Sequence, residues 1–95
     1  TVDLPHPTRQ AILQMYERFG GGGIPGRVQG TEISLGARIL TVADCFADLT
    51  RSSKNPYGRV VSPDSACAVL SKAAGSLFDE TVVIALRAIT PEKAK

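Results

Sequence analysis

Ninety-five residues, 43% apolar and 21% charged, make one ordinary globular domain with room for a single modest core. A net charge of +2 is too small to mark nucleic acid or an anionic membrane surface as a partner. Trp is absent and aromatics reach only 5%, while Ala and Leu are plentiful, so closely packed helices are favoured over a sheet.

The first predicted helix runs from about Pro7 to Phe19, with Pro in the first turn where its missing N–H costs nothing. Gly20 to Gly23 stop it, and a loop continues to about Gly30. The second, about Glu32 to Arg51, carries Leu35, Ile39, Val42, Phe46 and Leu49 on one stripe. At 100° per residue, Ile33, Leu40 and Ala47 fall on the opposite side with Asp44 and Arg51. Two apolar sides predict a central helix between neighbours, with Asp44 pointing into the second contact. A carboxylate there needs a partner, and Arg51 and Arg38 are the nearest in sequence.

Ser52 to Val61 reads as a loop broken by Asn55-Pro56 and Gly58. Ser62 then reads as an N-cap with Pro63 in the first helical position, opening a third helix to about Ala74 that Gly75 ends. Asp79 caps a fourth helix whose buried face is Val82, Val83, Leu86 and Ile89; Pro91 closes it, and 91–95 is a frayed tail. The expectation is an all-α bundle of four main helices in a single domain.

Cys45 and Cys67 sit in helical patterns without metal spacing and read as buried free thiols of a cytoplasmic protein. No signal peptide is visible, and the longest apolar run, Val82 to Leu86, is far short of a membrane span. The chain opens at Thr1 with no Met, which reads as a piece of a longer protein.

Gly21-Gly22-Gly23-Ile24-Pro25-Gly26 satisfies G-x-G-x-x-G in form only. A dinucleotide fingerprint must follow a strand and open a helix, whereas here a helix precedes it and Pro25 lies inside it. No Gly-Lys-Ser/Thr follows, which excludes a P-loop. Taken alone, the segment reads as a flexible helix connection.

The wider order says more. Glu17 and the glycine turn ending at Pro25 are followed by Ile33 to Leu40, Val42-Ala43-Asp44-Cys45-Phe46, Pro56-Tyr57, an Ala-rich helix and Gly75-Ser76-Leu77-Phe78-Asp79. This order resembles the C-terminal half of the HD-GYP domain, a bacterial family of metal-dependent phosphodiesterases that open cyclic di-GMP. The resemblance covers about Pro7 to Ile89. The family writes its loop as His-His-Glu, two residues, Asp-Gly-x-Gly-Tyr-Pro. This chain has Met15-Tyr16-Glu17, Arg18-Phe19, then Gly20 to Gly23, Ile24 and Pro25. Glu17, Gly21, Gly23 and Pro25 are kept; both histidines, the loop Asp and the signature Tyr are not.

The resemblance implies a cluster of iron or manganese ions that activates a hydroxide, held by His and carboxylate ligands. Of those positions this chain keeps Asp44, as a vestigial ligand position. The family's second Asp, three residues on, is replaced by Ala47, and Asp48 stands one residue later, about 100° further round the helix. His6, the only histidine, matches no ligand position. No cofactor is expected in this chain. The family's basic residues around Pro-Tyr correspond to Lys54 and Arg59, which with Gly21 and Gly23 are the candidate phosphate-binding residues.

Two functions follow. One is a degenerate, non-catalytic signalling module that acts by protein contact. Its partner would be another domain of the same polypeptide, a GGDEF-type cyclase or a second copy, with weak cyclic di-GMP binding. The alternative is a true phosphodiesterase half completed by an absent N-terminal half, which would not supply the two missing histidines.

Overall fold

A computed structural model describes residues 3–90 and shows four helices with no strand among them. They are α1 (His6–Gln14), α2 (Leu35–Arg51), α3 (Pro63–Lys72) and α4 (Glu80–Ile89), with a single 3-10 turn at Gly30–Glu32 before α2. α2 is the centre, touching each of the other three helices.

Local signals set three of the four starts. Ser34 accepts from the Ala37 amide at 3.3 Å to open α2, and Ser62 accepts from Ser65 at 3.2 Å to open α3. Asp79 accepts from Thr81 at 2.9 Å to open α4. Each satisfies an amide that has no partner inside its helix. Gly75 adopts φ +87°, past the end of α3, where a side chain would be strained.

Three ends differ from the sequence expectation, the smallest being that of α3, which closes at Lys72 rather than about Ala74. α1 stops at Gln14 rather than Phe19 because the carbonyls beyond it are claimed by the loop. Ile24 donates to the Tyr16 carbonyl at 3.0 Å, Gly21 to Arg18 at 2.8 Å and Gly30 to Phe19 at 2.7 Å. α2 begins at Leu35 rather than Glu32, whose carboxylate accepts from the Gln29 amide within the 3-10 turn. The closing Pro91 and the tail at 91–95 lie outside the described residues.

The core forms where α3 and α4 cross α2. Val42, Leu70, Phe78 and Val83 make one buried cluster, and Leu49, Val61 and Ala66 a second, with half-buried Cys45 and Phe46 touching both. Burial of each such aliphatic or aromatic side chain contributes about 1.5–3 kcal/mol. At the other end α1 lies close on α2, and a methyl at Gly36 would sit 3.1 Å from the Ala11 methyl.

The stripe expected on α2 is only partly the buried one. Val42 and Leu49 are buried and Phe46 half-buried, but Leu35 and Ile39 are 57% and 48% exposed. The core lies toward Arg38, Thr41 and Cys45, which rotates the contact face away from both. Ile33 is buried, though from the segment before the helix rather than from an opposite face. The expected second contact is not there: Leu40, Asp44, Ala47 and Arg51 are exposed. Ile89 also departs from its expected burial, at 79% exposed, because Thr90 is the residue that reaches α3, its hydroxyl 3.7 Å from Cys67 Sγ.

Candidate functional site

The end of α1 and the glycine loop form the most elaborate local structure in the chain. Glu17 is 4% exposed and places its carboxylate under the loop. Gly26 donates its amide to Oε1 at 2.8 Å, and Arg27 and Val28 donate theirs to Oε2 at 2.8 and 3.2 Å. Three consecutive N–H groups thus close on one carboxylate, the geometry by which a turn binds an anion. Here the anion is the chain's own side chain.

The loop is tied on its other side as well. Gly20 donates to the Ser76 carbonyl at 2.8 Å and Phe19 to Leu77 at 3.4 Å, joining it to the α3–α4 connection. The glycines are needed for two different reasons. Gly21 has φ +93°, a conformation L side chains rarely adopt. Gly23 faces the backbone just past α1 so closely that a methyl would sit 2.6 Å from Glu17 Cα and Tyr16 O. Backbone freedom, the sequence-based reason for keeping the glycines, accounts for the first and close approach for the second.

Beside Glu17 opens a groove of about 400 Å³ lined by Met15, Tyr16, Ile24, Thr41, Leu77 and Phe78 among others. Met15 and Tyr16 therefore bring a thioether and a 67% exposed phenol to the positions where the sequence resemblance implies the family's histidines. Thr41 is already engaged, its hydroxyl donating to the carbonyls of Met15 and Ala37. Asp44 lies one turn further along α2, exposed and outside this lining.

Neither arginine near Asp44 in sequence reaches it. Arg38 points to the other side of α2, where it meets Asp79 at 2.8 Å and donates to the Ile33 carbonyl at 2.9 Å. Arg51 is seven residues on, about 10 Å along the helix. Burial pushes the Asp79 carboxyl up, but hydrogen bonds from Arg38 and the Thr81 amide outweigh it and hold its pKa below the ordinary value. Burial, with the negative charges of Asp48 and Asp44, pushes the Cys45 thiol up. Cys45 and Cys67 are both free thiols, Cys67 buried as expected and Cys45 only half-buried.

Lys54 and Arg59 are exposed in the loop between α2 and α3. Val61 donates to the Leu49 carbonyl at 2.8 Å, fixing that loop to the last turns of α2. The glycine loop borders Thr41 near the other end, and Thr41 to Arg51 advances about 15 Å. The structure therefore does not bring Lys54 and Arg59 together with Gly21 and Gly23 around one phosphate. His6 is exposed at the start of α1, and Asp48 is exposed on α2.

One residue that sequence reasoning reads only as a breaker, Asn55, is a hub. Its buried amide donates to the carbonyls of Ser52 and Arg59, both at 2.8 Å, and its oxygen accepts from Tyr57 at 2.8 Å. The last bond is an Asx turn, and Asn followed by Pro and Gly is the signal that carries it.

A small helical domain with a buried Glu beneath a glycine loop is a class the comparisons define further. The HD domain family model matches residues 1–82, and the chain belongs to that family. It is 42% identical over 74 residues to the cyclic di-GMP phosphodiesterase response regulator RpfG of Xanthomonas campestris, covering 78% of this chain and 19% of that protein. It is 32% identical over 81 residues to a cyclic di-GMP phosphodiesterase of Vibrio cholerae, covering 85% and 16%. A 3'3'-cGAMP-specific phosphodiesterase of Vibrio cholerae matches at 36% over 72 residues, covering 76% and 15%. These relatives fit a partial domain of the HD-GYP type, and the chain spans under a fifth of their length. No described helix is long and apolar enough to cross a membrane.

Proposed function

We propose that this chain is a non-catalytic HD-GYP-type module of cytoplasmic cyclic di-GMP signalling that acts by protein contact. The observation that carries the reading is the use of Glu17. The one residue kept from the His-His-Glu signature has both carboxylate oxygens bonded to loop amides, with Met15 and Tyr16 beside it. In the relatives' family the metal ions would activate the attacking water and offset charge on the phosphodiester. The side chains this chain offers for that task do not fit iron or manganese. A thioether is a soft donor, and Asp44 stands alone on an exposed face. What is preserved is the glycine loop and the helical frame, which supports selection on shape and surface.

The partner is another domain of the same polypeptide, a GGDEF-type cyclase or a second copy. Any ligand kept is an anion such as cyclic di-GMP, held weakly at the exposed Lys54 and Arg59, since Glu17 already fills the loop's converging amides, and lost as salt rises. Metal analysis of the protein purified after growth with iron or manganese tests the reading. A content below one ion per chain is expected; two or more would overturn it.

A second reading has one observation on its side. Asp44 and the groove beside Met15 are both open, as a phosphodiesterase half awaiting the rest of its domain would leave them. Metal bound by a longer polypeptide, and lost in Asp44→Ala, would favour it.

A further inference from the structure

Behind the glycine loop lies a second, much smaller space. Glu17, Arg38, Thr41 and Asp79 line a cavity of about 10 Å³ together with apolar neighbours. A volume of that size admits no more than a single water. Glu17 and Asp79 are 4% and 6% exposed, and the Arg38 side chain 18%. Two buried carboxylates and one guanidinium thus stand around a gap with almost no room for solvent.

The two carboxylates are held differently. Asp79 accepts from Arg38 at 2.8 Å and from the Thr81 amide at 2.9 Å. Glu17 accepts from amides alone, and no cation is bonded to it. A charge buried that deeply is costly unless a counterion lies near. Where water is excluded, a guanidinium acts beyond hydrogen-bond range, because screening is weak. Arg18 and Arg27 also border grooves beside Glu17, but both are exposed and screened by water. Arg38 is the cation that borders the enclosed gap.

We propose that Arg38 is a shared counterion, bonded to Asp79 and acting across the cavity on Glu17, so that its charge holds the glycine loop closed although it bonds no loop residue. It also offsets the repulsion between the two carboxylates. Gly22, Gly23 and Ile24 of that loop line the larger groove, whose lining does not include Arg38. Arg38 is therefore a positioning residue for the groove, setting its wall from behind. The role is the same in a signalling module and in a phosphodiesterase half, so metal content does not bear on it.

Native-state amide exchange of the chain tests it, with each rate divided by that of the Leu70 amide, which lies in the core and reports global opening. Arg38→Met, which keeps bulk and removes charge, should speed exchange at Gly26, Arg27 and Val28 about tenfold. Arg38→Lys, which keeps the charge, should restore most of the protection. In a Glu17→Gln background, Arg38→Met should leave these three rates where Glu17→Gln alone puts them. Asp79→Asn leaves the guanidinium to Glu17 alone and should not speed them at all. An Arg38→Met variant that speeds only Thr81 would reduce Arg38 to its tie with Asp79 and overturn the proposal. Equal effects of Lys and Met would overturn it too, as would a loop that loosens in Asp79→Asn. If Arg38→Met does not fold, Arg38→Lys and Asp79→Asn decide: protection kept in both supports the proposal, and protection lost in either overturns it.

Discussion

The two long loops are held by opposite chemistry. The glycine loop closes on a buried carboxylate, Glu17, that only accepts, and its partners are three amides. The loop from Ser52 to Val61 closes on a buried neutral amide, Asn55, that donates to two close carbonyls and accepts once. Glycine supplies the backbone freedom in the first, and an Asx turn with Gly58 at φ +69° supplies it in the second. In both, one side chain satisfies backbone groups that no helix or strand can reach. Flexible composition does not make a flexible loop when such a hub is present.

Removing the charged hub should have the largest effect. Glu17→Ala strands three amides and should cost about 3–5 kcal/mol of unfolding free energy, read by urea denaturation. Hydrogen exchange at Gly26, Arg27 and Val28 should speed up far more than in the α3–α4 core. Asn55→Ala should cost less, about 2–3 kcal/mol, and should loosen only the second loop, with faster exchange at Tyr57 and Val61. Equal losses, or exchange that spreads across both loops in either variant, would break the comparison.

A smaller effect concerns the tie between the glycine-loop end of α2 and α4. Asp79 has a depressed pKa in the folded state, so its pair with Arg38 contributes stability above the unfolded pKa of about 4 and loses it as pH falls through the folded value. Asp79→Asn keeps a capping side chain but removes the charge, and should cost about 1–2 kcal/mol at neutral pH. The gap to wild type should close as pH falls below about 4. A gap that persists unchanged at acid pH would mean the pair is not its source. The smallest effect is expected from the exposed cations: Lys54→Ala with Arg59→Ala should change stability by less than about 0.5 kcal/mol and leave loop exchange rates as they are.

The contrast between the loops also explains which features are legible in the sequence. Ser62-Pro63, Asp79 and Gly75 act through their nearest neighbours, so the four helices and most of their boundaries can be read locally. The glycine loop can be read as a retained turn. Its latch cannot, because Glu17 bonds amides nine to eleven residues away, and no periodicity or turn signal links positions at that distance. The sides of α2 are ambiguous for a similar reason. Periodicity shows that Leu40, Asp44 and Ala47 share a side with each other, but which side receives α3 and α4 is decided by packing. Arg38 stands near Asp44 in sequence, whereas Asp79, 41 residues on, is the partner the fold supplies.

The central claim is that Glu17 serves the glycine loop and not a metal. Hydrolysis of cyclic di-GMP with added iron or manganese tests it most directly, on this chain and on any longer polypeptide that carries it. The account predicts no turnover above background with either metal. Metal-dependent turnover that disappears in Asp44→Ala would contradict it.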